Sequence, residues 1–230
     1  MDAPKFDVGD AIRFGWETTK ANLNLVVVLT LVAALATGVP SAIAEGLDPG
    51  SPLMAGFFRL IGAIVSLVVS VGAIRISLRL HDGGSAVVRD LFAADGPMLW
   101  RYFLATLLYS VVVAVGLVLL IVPGVIFSVR YAFYGYAVVE RNAGPREALA
   151  QSAAATRGAW WTVSLFGLVT ILVNILGALL LGIGLLVTVP VTTLAAAWVY
   201  RRLTRTGPTA TTGAVGGQPI LPGETTPLPR

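Results

Sequence analysis

The chain has 230 residues, 56% of them hydrophobic and 12% charged, and its mean hydropathy is +0.83. Soluble domains carry about 25% charged residues, so this composition excludes an ordinary soluble enzyme, a disordered chain and a nucleic-acid-binding domain, and it points to an all-α polytopic membrane protein. The net charge of +4 then reads as topology, and the absence of cysteine with a single histidine, His81, excludes disulfides, thiolate chemistry and multi-histidine zinc sites.

The N-terminal segment mixes Lys5, Arg13 and Lys20 with Asp2, Asp7, Asp10 and Glu17. A secretory signal opens with a short positive region, so the first apolar run, residues 23–39, is expected to be a retained span. Turn-forming residues at 45–52 lead to a second span, 53–74, which contains Arg59. The run from Tyr102 to Val139 carries one charge, Arg130, and is too long for one helix. Pro123 and Gly124 are expected to divide it into spans 102–122 and 125–139. Ala159 to Tyr200 carry no charge. As one helix they would reach about 63 Å, twice the hydrocarbon core of a bilayer. A turn at Gly182 and Gly184 gives spans 159–181 and 184–200. The expectation is six transmembrane helices in three hairpins.

Of the 16 Lys and Arg residues, all but Arg59 and Arg130 fall before the first span, between hairpins or after the last span. The opposite loops carry Glu45 and Asp48. By the positive-inside rule both termini are cytoplasmic, and Trp16, Trp100, Trp160, Trp161 and Trp198 sit near the same ends, where indole favours the interface.

Each hairpin is preceded by a polar, amphipathic segment: Val8–Lys20, Ser85–Trp100 and Pro145–Gly158. In the second, Val87, Val88, Leu91 and Phe92 share one helical face; in the third, Leu149, Ser152, Ala153 and Thr156 do. These read as three repeats of a cytoplasmic interfacial helix followed by a hairpin. The segment 204–230, rich in Thr, Gly and Pro, is expected to be a disordered cytoplasmic tail.

Charge inside a membrane marks a functional hypothesis. Arg59 and Arg130, with Asn174 and Thr188, are expected at one level in the outer half of the bundle. There they would form a pocket for an anion such as a lipid phosphate or a carboxylate. The plainer alternative has both arginines reaching the outer interface to pair with Glu45 or Asp48, with Tyr131 and Tyr134 against Arg130. No Asp, Glu or His lies between the ends of any expected span, so proton relays and hydrolytic sites lack their groups, and Ser66, Ser70, Ser110, Ser128 and Ser164 lack a base. Neither a catalytic residue nor a cofactor or metal is expected. Glu140 is expected to pair with Arg141, Arg146 or Arg157, and His81-Asp82-Gly83-Gly84 to form a plain turn.

The second half carries a recognisable combination. Ile121-Val122-Pro123-Gly124-Val125-Ile126 leads into Val129-Arg130-Tyr131. Then come Glu140, Gly144, Glu147-Ala148-Leu149, Ser152, Thr156-Arg157-Gly158 and Trp160-Trp161, and finally Pro190 and Tyr200-Arg201-Arg202-Leu203. Over about residues 100–203 this resembles the membrane domain of some bacterial glycerophosphoryl diester phosphodiesterases and its stand-alone relatives of unknown function. The resemblance implies an all-helical, multi-pass protein of the bacterial inner membrane. It does not imply phosphodiesterase activity, because in those enzymes the chemistry resides in a separate soluble barrel that this chain lacks.

The first functional expectation is a non-enzymatic membrane protein that engages anionic membrane lipid, or a protein partner at its cytoplasmic face, with no nucleic acid involved. The alternative is a small transporter or transporter accessory subunit, which needs polar groups through the full membrane depth.

Overall fold

The structure is a computed structural model and describes residues 6–47, 51–180 and 182–206. Among these residues it is all-helical, with nine α-helices and one short 3-10 turn. Helix α1 is Val8–Ala21, α2 Leu23–Gly46, α3 Pro52–His81, α4 Gly96–Leu119, α5 Ile121–Arg130, α6 Tyr134–Arg141, α7 Pro145–Ala155, α8 Trp160–Leu179 and α9 Leu185–Thr206. Five runs are long and apolar enough to cross a membrane: α2, α3, α4, the broken run Ile121–Arg141 formed by α5 and α6, and α8.

The sixth expected span, 184–200, is not among these five. It forms α9, diluted by Thr188, Pro190, Thr192 and Thr193 and by three arginines at its end. Yet α9 is the helix around which the others pack. It lies against α1, α2, α3 and α8, and Ala195, Ala197, Val199 and Leu203 are fully buried on it. From Val191 onward the helix is largely shielded by these neighbours, whereas its first turns are half-exposed.

Neighbours in the chain pack pairwise, α2 on α3, α4 on α5 and α8 on α9. The turn between α4 and α5 lies three residues earlier than expected. Leu120 is extended, and Pro123 and Gly124 sit inside the first turns of α5. The reason is local. Proline is tolerated in a first helical turn, where its missing N–H costs no helical bond, and Gly124 is needed for close contact with Leu117 of α4. The fourth expected span, 125–139, is also interrupted. Residues 131–133 form turns between α5 and α6.

Of the three amphipathic segments expected to be helices, the first and third are helical, as α1 and α7. Asp7 caps α1 through hydrogen bonds from the Gly9 and Asp10 amides, and α7 begins at Pro145. The second segment is no α-helix; it is a 3-10 turn over Val88–Phe92. Leu91 is buried against α3, whereas Val87 and Phe92 are exposed, so the four apolar residues do not share a face. In α1 the chief packing surface is Ala11, Gly15 and Thr19, all buried. A side chain on Gly15 would collide with the Val191 carbonyl of α9, so glycine permits this helix pair to touch. The last helix continues to Thr206, past the expected tail boundary at 204; the rest of that tail, 207–230, lies outside the described residues.

Candidate functional site

The four residues expected to share a pocket occupy three separate places. Arg59 lines a recess between α2 and α3 together with Glu45. Asp48, its other expected partner, lies outside the described residues. Asn174 and Thr188 do come together, in the seam between α8 and α9. The Asn174 amide donates to the Thr170 carbonyl at 2.9 Å and to the Thr192 hydroxyl at 3.2 Å. Thr188 packs on Gly177, one turn beyond Asn174. Asn174 Oδ1, Thr170 Oγ1 and Thr188 Oγ1 are buried without a hydrogen-bond partner.

Arg130 is elsewhere, and the break between α5 and α6 explains its position. A helix interrupted at 131–133 strands backbone groups that must find partners. Helix α7 supplies them. The Ser152 and Thr156 hydroxyls both donate to the Arg130 carbonyl, each at 3.1 Å, and the Phe133 amide donates to Ser152 Oγ, also at 3.1 Å. The face of α7 that sequence analysis singles out for its small residues thus splices the break. Gly158, with a φ of 82°, turns the chain from α7 into α8, a conformation that favours glycine. The result is a recess of about 360 Å³ lined by Arg130, Arg157 and Trp160, with Ile126 and Val129 on its apolar wall. Arg130 therefore belongs to the end of the bundle that carries Arg157 and Trp160, away from Arg59. Neither tyrosine expected near it is stacked on its guanidinium. Tyr134 stacks on Tyr109, its hydroxyl 3.0 Å from that of Thr106, and Tyr131 packs beside Phe127.

Two guanidinium groups and an indole around one recess suit an anionic headgroup, with the apolar wall left for an acyl chain. Among the described residues no group of three His, Asp or Glu side chains is placed to hold a metal ion. The chain matches no family model, no curated protein and no solved structure.

A second polar cluster was not legible from spacing. Arg201 of α9 pairs with Glu140 of α6 and Asp82 at the end of α3. The Tyr200 hydroxyl donates to Glu140 at 2.6 Å, and Arg141 lies 4.0 Å from the same carboxylate. Arg201 and Glu140 are 19% and 22% exposed, enough shielding to strengthen the pairing over a surface bridge. Of the partners expected for Glu140, only Arg141 is near, and the closer one, Arg201, comes from 61 residues further along the chain. His81-Asp82-Gly83-Gly84 is more than a turn, because its first two side chains join this cluster. His81 is 3.0 Å from Asp82, and its ring packs on Phe14 of α1 at 5.2 Å. Burial pushes the Asp82 carboxyl up, but hydrogen bonds and charge from His81 and Arg201 outweigh it and hold the group below its ordinary range. The cluster fastens α1, α3, α6 and α9 at one end of the bundle.

Proposed function

We propose that this chain is a six-span inner-membrane protein with both termini cytoplasmic, without catalysis of its own, that holds anionic lipid of the cytoplasmic leaflet at Arg130, Arg157 and Trp160. The observation that carries this reading is the recess itself: two arginines and a tryptophan converge there beside an apolar wall. Basic recesses between helices on the cytoplasmic side are suited to anionic headgroups. Five long apolar helices support the membrane setting, and the shielding of α9 by its neighbours from Val191 onward is in keeping with its modest apolarity as a sixth span. The cytoplasmic orientation draws on the distribution of basic residues, and the same face offers a surface for a protein partner. The bacterial setting draws on the resemblance to the phosphodiesterase membrane domain.

The test is lipid analysis by mass spectrometry of the purified full chain, beside a variant carrying Arg130→Gln and Arg157→Gln. The wild type should retain phosphatidylglycerol or cardiolipin, and the double variant should retain about tenfold less. Equal retention would sink the reading. A second reading, transport, draws on the seam of Asn174, Thr170 and Thr188, whose unpartnered oxygens are suited to water or a polar solute. Solute flux into vesicles that is lost in Asn174→Leu would favour it.

A further inference from the structure

The recess that holds Arg59 has a chemistry unlike the lipid site above. Its volume is about 320 Å³, and it is lined by Thr37, Ser41 and Glu45 from α2 and by Arg59, Gly62 and Ser66 from α3. Charges of opposite sign face it from different helices. Among the described residues neither Glu45 nor Arg59 has an ion-pair partner within 4.0 Å, so each is able to take a charged group of the other sign.

The two walls differ in hydrogen-bonding character. On the α2 side, the Thr37 hydroxyl donates to the Ala33 carbonyl at 2.8 Å and the Ser41 hydroxyl to the Thr37 carbonyl at 3.1 Å. Their protons are committed, and their lone pairs are left to accept. With the Glu45 carboxylate, this wall is a set of acceptors suited to a primary ammonium. On the α3 side, the Arg59 guanidinium is a planar donor suited to phosphate or carboxylate. Gly62 meets Pro40, with a Cβ–Cβ approach of 3.5 Å if a methyl is added there, so the two walls are held close together.

The depth also fits. Arg59 precedes His81 by 22 residues on one continuous helix, which is about 33 Å of rise. The hydrocarbon core is about 30 Å thick. With His81 at the cytoplasmic interface, Arg59 stands at the opposite headgroup layer rather than inside the core.

We propose that this recess binds a zwitterion that carries a primary ammonium and an anionic phosphate or carboxylate a few bonds apart. The ammonium lies against Glu45, Thr37 and Ser41, and the anion lies against Arg59. Two sources share this chemistry: the headgroup of phosphatidylethanolamine in the outer leaflet, and a free solute such as phosphoethanolamine. The inference rests on the membrane-spanning part of the function proposed above and is independent of the Arg130 recess.

Thermal unfolding of the full chain in neutral detergent tests it, with four additives compared. These are phosphatidylethanolamine, phosphatidylcholine, phosphatidylglycerol and water-soluble phosphoethanolamine. In the wild type the half-saturating concentration of phosphatidylethanolamine should be about tenfold below that of phosphatidylcholine, whose quaternary ammonium has no N–H to donate. That comparison needs no variant to fold. Glu45→Gln should abolish the preference for ethanolamine over choline. Arg59→Gln should weaken both, and the Arg130→Gln/Arg157→Gln variant should leave the preference intact. Protection by soluble phosphoethanolamine identifies a free-solute site, and protection by the lipid alone identifies a headgroup site; both support the proposal. Equal affinity for ethanolamine and choline lipids, a preference that survives Glu45→Gln, or stabilisation by phosphatidylglycerol alone would overturn it.

Discussion

Helices α8 and α9 are consecutive and similar in length, yet they use hydrophobicity in opposite ways. On α8, Leu168, Ile171, Leu172, Ile175, Leu176 and Leu179 are all more than half exposed or close to it. On α9, the fully buried positions are mostly alanine and valine, and the helix ends in arginines. In a soluble protein this pattern would be inverted, with large apolar residues inside. In a bilayer, lipid tails are as apolar as leucine, so large side chains can face outward, while small residues let helices approach. Apolarity along this chain marks contact with lipid, and small or mixed composition marks contact with protein.

The sharpest way to break that contrast is to make one substitution on both helices. Leu194→Ala on α9, where the side chain is 3% exposed, should cost about 3 kcal/mol through lost contacts and a residual cavity. Leu176→Ala on α8, where it is 62% exposed, should cost less than about 0.5 kcal/mol. Thermal unfolding in detergent reads both, and equal losses would refute the contrast. Next in size is Gly15→Val. It drives a side chain into the Val191 carbonyl and should cost about 2 kcal/mol, with faster proteolysis near α1 as the local readout. Arg201→Gln should follow at about 1–2 kcal/mol, since it leaves Glu140 and Asp82 without their shared cation in a partly shielded site; Arg201→Lys should restore part of the loss. The smallest effect is the pH dependence. Asp82 has a lowered folded-state pKa, so its contribution is present above the ordinary carboxylate pKa and is lost as pH falls below about 4. Asp90 is shifted the same way, by the Val87 amide first and then, against the cost of burial, by Arg79 and Arg89. Asp82→Asn should therefore flatten the decline in melting temperature between pH 5 and 3 without abolishing it.

The apolar helices were legible because lipid-facing residues repeat along one strand of sequence. α2, α3, α4 and α8 lie where hydropathy places them, and the turn near Gly182 follows from length alone. What composition hid was any feature that needs a partner distant in the chain. Arg130 stood out as a charge among apolar neighbours, but the bonds from α7 to its carbonyl and the recess it shares with Arg157 need residues distant in the chain. Glu140 seemed to belong to nearby arginines, and Arg201 reaches it only through the packing of α9 on α3 and of α3 on α6. Ser85–Trp100 has a helical pattern of apolar residues, but Ala86, Val88 and Leu91 pack towards α3 while Val87 and Phe92 stay exposed, and the segment settles as a 3-10 turn. Arg59 was legible as a charge in an apolar run, but the continuation of α3 past that run to His81 was not.

The splice between α5 and α6 also decides which parts of the chain move together. A continuous helix carries a twist applied at one end to the other. Here the regular helical ladder gives way to tighter turns at 131–133, and the Ser152 and Thr156 hydroxyls of α7 take up the Arg130 carbonyl. The Arg130 backbone is therefore tied to α7 through Ser152 and Thr156 as well as to its own chain. Ser152→Ala with Thr156→Val would take both side-chain partners from the Arg130 carbonyl and leave the apolar contacts of α7 in place.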